Sequence, residues 1–116
     1  SIKSLISTMR TLFPNLPLYG LFCLKGDKDI KLIAEEMSKV FDQLFICDDK
    51  NKLLLKKEIL SKKLINHNVG NKITRSIEAG IGKLRHLVTK KGVGIVFGSH
   101  YIAKDILRCS EISFIR

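Results

Sequence analysis

Two short polar segments, residues 25–29 and 99–101, carry the residue types that could bind a ligand. Each lies between an apolar run and a helix-like pattern, and we call them the two corners. Their polar residues are Asp27, Lys28, Asp29, Ser99, His100 and Tyr101. In parallel α/β sheets, ligands collect at the carboxyl ends of strands, where helix N-termini offer unpaired N–H groups. We therefore predict that the two corners form one ligand-facing edge.

Helix capping competes with ligand binding as the explanation of these corners. Asp27 or Asp29 would cap the following helix by accepting its free N–H groups, and Ser99 would cap the other helix. Lys28 is a cation at the positive end of a helix dipole, which favours a facing carboxylate or phosphate. His100 as a general base would need an orienting carboxylate, which the sequence does not show. Capping alone and capping with ligand contact both stay open, and no catalytic residue is assigned.

The composition indicates one globular domain spanning residues 1–116, with 45% hydrophobic and 28% charged residues. No apolar run approaches the roughly 20 residues that a membrane span needs, and no secretory signal opens the chain. The three cysteines lie in apolar contexts without C-x-x-C spacing. We expect buried, reduced thiols in a cytoplasmic protein, with no metal site.

The net charge of +10 is concentrated in residues 50–91, which hold twelve Lys or Arg against Glu58 and Glu78. A basic patch can bind a polyanion, whereas lysine-rich surfaces are also commonly just solvated. The segment contains no aromatic residue, so it lacks the stacking platform of single-strand nucleic-acid binders. A solvated face and a polyanion partner both stay open, and His67 and His86 are predicted at the surface.

The hydrophobic pattern alternates between period-3.6 stripes and short continuous apolar runs, which predicts helices on both faces of a mostly parallel sheet. We therefore predict an α/β fold with three layers, α/β/α. Helices are predicted at 2–13, 30–41, within 53–69, 77–88 and 101–109, and strands at 18–24, 44–47, 71–74 and 93–97. Residues 112–116 form an edge strand or a tail. Ser76 or Thr74 is predicted to cap helix 77–88, and Gly80 and Gly82 indicate close packing there.

Common catalytic signatures are absent from the sequence. It contains no P-loop, no dinucleotide fingerprint, no H-E-x-x-H and no G-x-S-x-G. The chain also opens directly on a helical stripe, although an alternating fold would place a strand upstream. We expect a fragment of a longer polypeptide, without a complete catalytic apparatus of its own.

Taken in order, these elements resemble the C-terminal domain of folylpolyglutamate synthase, including its bifunctional dihydrofolate synthase form, within the Mur ligase family. Residues 26–29, Gly-Asp-Lys-Asp, match the family's [Ala/Ser/Gly]-Asp-Lys-Asp, and residues 95–99 match its V-F-G-S segment. Residues 76–79 lie where the family often has a Ser-Leu-Glu-Glu-like helix start. The family's Asp-Gly-Ala-His-Asn-Pro element and its P-loop domain would precede residue 1.

The resemblance implies a Rossmann-like domain of an ATP-dependent ligase that adds L-glutamate to folate through an acyl phosphate, and that is inactive alone. It implies MgATP bound mainly by an N-terminal P-loop domain of the same polypeptide, with folate and glutamate as substrates, in a monomeric enzyme that binds no membrane. The six corner residues become candidate contacts for substrate or nucleotide. The alternatives are a stand-alone nucleotide- or anion-binding module and a basic RNA-binding domain.

Overall fold

The computed structural model describes residues 2–24, 30–49, 54–89 and 91–98, together with the backbone of 105–108 and 111–114. Its elements are α1 (Ile2–Leu12), β1 (Leu18–Cys23), α2 (Lys31–Val40), β2 (Gln43–Ile46), α3 (Lys57–Asn66), β3 (Lys72–Ile73), α4 (Ile77–Leu87), β4 (Val93–Gly98), β5 (Asp105–Arg108) and β6 (Glu111–Phe114). The strands form one sheet in the order β3-β2-β1-β4-β5-β6.

The first four strands in this order, β3, β2, β1 and β4, are parallel, as the alternating pattern predicts. β1 pairs with β2 on one side and with β4 on the other, and β2 pairs with β3. β1 and β4 are buried almost throughout, which explains why both are continuously apolar in sequence. The predicted α/β class with a mostly parallel sheet is confirmed.

Helices cover both faces of the sheet. One buried cluster joins α1, α2 and α3 to the sheet through residues such as Ile6, Met37 and Leu60. A second cluster joins α4 to the other face through Leu84, with Leu21 from the sheet. The sheet is therefore the middle layer of three, as predicted.

The predicted helix over 101–109 is wrong at residues 105–108, and the rest of that range lies outside the described residues. Residues 105–108 form β5, which pairs antiparallel with β4, and β6 pairs antiparallel with β5. Short apolar runs do not distinguish helix from strand by periodicity. The tertiary setting decides, because β5 supplies backbone partners to the buried strand β4, which would otherwise end the sheet. The other prediction at this end, an edge strand near 112–116, is confirmed by β6.

The N-terminus of α4 is capped by Ser76, the residue immediately before the helix. Ser76 has an extended backbone, and its hydroxyl accepts a hydrogen bond from the N–H of Ala79 at 3.1 Å. Such a bond satisfies one of the N–H groups that a helix start leaves without a partner. The predicted cap is therefore Ser76, whereas the Thr74 hydroxyl donates to backbone oxygens of Ile46 and Ser76.

The two glycines of α4 differ in their surroundings. A Cβ added at Gly80 would lie 2.5 Å from Cδ1 of Leu21, a fully buried residue of β1. A Cβ added at Gly82 would meet nothing within 4 Å. The prediction of close packing is therefore confirmed at Gly80, whereas it is wrong at Gly82.

We expect opposite effects from alanine at these two glycines. Gly80→Ala should lower the free energy of unfolding by about 1 kcal/mol, because overpacking against Leu21 outweighs the better helix propensity of alanine. Gly82→Ala should raise it by about 0.5–1 kcal/mol, because only the propensity changes. Urea denaturation followed by circular dichroism measures both, and equal shifts would contradict the packing that we describe.

Candidate functional site

The carboxyl ends of β1 and β4 lie side by side at the centre of the sheet. The two strands are parallel neighbours, and their register places Cys23 opposite Gly98. From β1 the chain continues to α2 and β2 on one side, and from β4 it continues to β5 on the other. This is the point where the strand order reverses, and open α/β sheets bind ligands in the crevice beyond such strand ends.

The edge of the sheet formed by these carboxyl strand ends is called the rim below. Both predicted corners begin at the rim, since residues 25–29 follow Leu24 and residues 99–104 follow Gly98. The expectation that their two strands end together is confirmed by the register. All six candidate residues lie outside the described residues, namely Asp27, Lys28, Asp29, Ser99, His100 and Tyr101. Their roles in binding stay predictions.

Gly98 allows the two strand ends to approach closely. A Cβ at this position would clash with the carbonyl oxygen of Cys23 and would lie 2.9 Å from its Sγ. Only a residue without a side chain fits there with the backbone unchanged. The glycine of the predicted second corner therefore has a packing reason that does not depend on any ligand.

The buried cysteines Cys23 and Cys47 lie on neighbouring strand ends of this rim. Both are buried thiols outside any disulfide bond, and the Cys47 N–H donates to the Phe22 carbonyl at 3.1 Å. The pKa of the Cys47 thiol is raised above its usual range, mainly by a hydrogen bond with Cys23 and secondly by burial. A thiol that stays protonated is a poor nucleophile and metal ligand, so Cys47 fits the predicted buried, reduced thiol. Cys23 fits that prediction by its burial. Cys109 lies outside the described residues.

Two carboxylates at the end of β2 complete the described part of the rim. Asp48 Oδ2 accepts from the N–H of Lys57, the first residue of α3, at 3.0 Å. Asp49 Oδ1 accepts from the N–H of Leu54 at 3.1 Å. Both hydrogen bonds hold the chain that leaves β2, and the Asp48 bond places a negative charge at the start of α3. The adjacent acidic pair in the sequence marks the end of a strand but does not reveal these partners.

Neither metal-binding nor membrane-spanning features are found in the described residues. No group of three or more His, Cys, Asp or Glu side chains within them could hold a metal ion. Among the helices that the structure describes, none combines the length and apolarity needed to cross a bilayer. His67 and His86 are exposed, as predicted.

The rim and the strand order define a doubly wound α/β domain, and comparison with solved structures makes that assignment more specific. The chain has the fold of part of Helicobacter pylori folylpolyglutamate synthetase, with a TM-score of 0.60 and 19% sequence identity over 88% of this chain. Its fold is also similar to that of part of Mycobacterium tuberculosis folylpolyglutamate synthase complexed with ADP, with a TM-score of 0.62 and 18% identity over 83% of this chain.

These similarities show a shared fold, and they involve only part of each enzyme. The chain spans 24% of the Helicobacter protein and 25% of the Mycobacterium protein. No protein-family model matches the sequence, and no curated protein matches it. The structural neighbours are nevertheless the enzymes that the corner motifs of the sequence resemble.

Proposed function

We propose that this chain is the C-terminal domain of an ATP-dependent ligase that adds L-glutamate to folate. The supporting observation is the sheet itself, because its fold is that of a quarter of two folylpolyglutamate synthases. Its two motif-bearing corners start from adjacent ends of β1 and β4. Fold alone does not define a reaction, so the corner motifs carry the additional argument.

In this proposal ATP activates the folate carboxylate as an acyl phosphate, which the amino group of glutamate attacks with release of phosphate. The domain would close over the cleft, orient glutamate and exclude water that would hydrolyse the activated carboxylate. Lys28 would meet a carboxylate or phosphate, and Ser99 and His100 would hydrogen-bond the glutamate. Asp27, Asp29 and Tyr101 would complete the contacts.

The phosphates and magnesium of ATP are assigned mainly to a P-loop domain of the same polypeptide. The two described carboxylates of the rim, Asp48 and Asp49, already accept backbone hydrogen bonds. We infer that the isolated domain is inactive, and we place the complete protein, as a monomer, in the cytoplasm.

The test is a ligation assay on the complete protein that contains this chain. With ATP, magnesium, tetrahydrofolate and L-glutamate, we expect release of ADP that depends on glutamate, and a product longer by one glutamate by mass spectrometry. A parallel reaction with dihydropteroate tests dihydrofolate synthase activity. Nucleotide binding without any ligation would contradict the proposal and favour an anion-binding module.

Lys28→Ala tests the role of this chain in the reaction. We expect kcat/KM for glutamate or ATP to fall about tenfold or more, as for loss of one charged contact. Lys39→Ala is the matched control, because Lys39 lies in the last turn of α2 and pairs with Glu35 at 3.5 Å on the exposed surface. Equal activity of the two variants would remove Lys28 from the site.

A further inference from the structure

A second concave site lies on the α4 face of the sheet, between α4 and the short strand β3. The cavity has a volume of about 530 Å³. Phe45 of β2 and Leu87 of α4 contribute apolar lining. The register places Lys72 of β3 next to Phe45 on the sheet, so a cation lies beside the apolar surface. We name this cavity the β3–α4 groove.

The charges of the β3–α4 groove have one sign. Lys72 and Arg75 line it from the β3 side, and Lys83 and His86 line it from α4. Because Lys83 and His86 are three residues apart in a helix, they lie on the same side of α4. No Asp or Glu occurs in the described lining, and Glu58 and Glu78, the two acidic residues of the basic segment, are not part of it.

The size and lining of the groove favour a small ligand. Ligand pockets commonly have volumes of about 300–1,000 Å³ and combine apolar surface with a few convergent polar groups. RNA recognition would use exposed aromatic rings, whereas Phe45 is only 4% exposed. An added peptide strand needs a longer edge than the two residues of β3.

We propose that the β3–α4 groove binds a small amphipathic anion, a compound with an aromatic or apolar body and at least two acidic groups. The body contacts Leu87 of α4 and Ile73 of β3, which is 45% exposed, and the acidic groups meet the cations of the two walls. The proposal is independent of ligase activity, because the groove lies beside β2 and β3 whereas the corners follow β1 and β4.

The experiment is isothermal titration calorimetry of the complete protein with 1,5-naphthalenedisulfonate, which has an aromatic body and two negative charges. We expect saturable binding to one site. In Lys72→Gln/Lys83→Gln the dissociation constant should rise about tenfold or more, because two charged contacts are lost. Ala79→Trp, which fills the groove from α4 without changing the charge, should also abolish binding.

The matched control is Lys62→Gln/Lys63→Gln, which removes the same charge from exposed positions of α3 that do not line the groove. Its dissociation constant should stay within about twofold of the wild-type value. Equal weakening in both double variants, unchanged binding in Ala79→Trp, or no saturable binding would overturn the proposal. So would groove-dependent binding of poly(U) or an acidic peptide without binding of the disulfonate. A failed ligation assay would leave this titration unchanged, so the two proposals fail separately.

Discussion

Phe97→Ala is expected to lower the free energy of unfolding by about 3–5 kcal/mol, the usual cost of removing a fully buried aromatic ring. Phe97 is 0% exposed in the central strand β4. Its ring centroid lies 4.9 Å from that of Phe22 and 5.3 Å from that of Phe41. The substitution therefore removes two ring contacts as well as the buried area.

Chemical denaturation with urea, followed by circular dichroism, measures this effect. Leu32→Ala is the control, because Leu32 is a large apolar residue that is 65% exposed on α2. Its loss should change the free energy of unfolding by about 0.5 kcal/mol or less. If Phe97→Ala costs no more than the control, the central packing of β1 against β4 is not as described.

Gly98→Ala is expected to lower the free energy of unfolding by about 2–3 kcal/mol and to separate the ends of β1 and β4. The added methyl group would clash with the backbone carbonyl of Cys23. Unlike the flexible Leu21 side chain that faces Gly80, this backbone atom moves only together with its strand. Overpacking that displaces backbone lies at the upper end of the usual range of 1–3 kcal/mol.

Urea denaturation measures the loss, and Gly70→Ala provides the control. A Cβ at Gly70 would meet nothing within 4 Å, so that variant should be as stable as the wild type or slightly more stable. In the complete protein we also expect Gly98→Ala to weaken glutamate ligation, because both corners start at the displaced strand ends. A Gly98→Ala protein as stable as the Gly70→Ala control would contradict the close approach.

The order of elements is predictable from sequence because burial on both faces requires continuous apolar runs. The runs at 18–24 and 93–97 have this property and form the central pair β1 and β4. That the two corners start from adjacent strand ends follows once the strand order is known. The strand order itself depends on which strand ends meet across long sequence distances, and local patterns do not encode it.

The errors arise where tertiary contacts decide the outcome. Residues 105–108 have an ambiguous pattern, and pairing with β4 makes them a strand. Gly80 and Gly82 have the same propensity cost, but only Gly80 faces Leu21. The basic segment is visible in the sequence as a charge excess, but the β3–α4 groove requires that Lys72 and Lys83, from separate elements, line one cavity.

The pairing of β1 with β4 also constrains how the protein is made. Leu18 pairs with Val93, so β1 meets its partner β4 only after the ribosome has added the intervening residues. At about 5–20 residues per second, that interval is roughly 4–15 s. During this time one edge of an apolar strand stays unpaired and open to aggregation, so we expect newly made chains to depend on chaperones until residue 98 emerges.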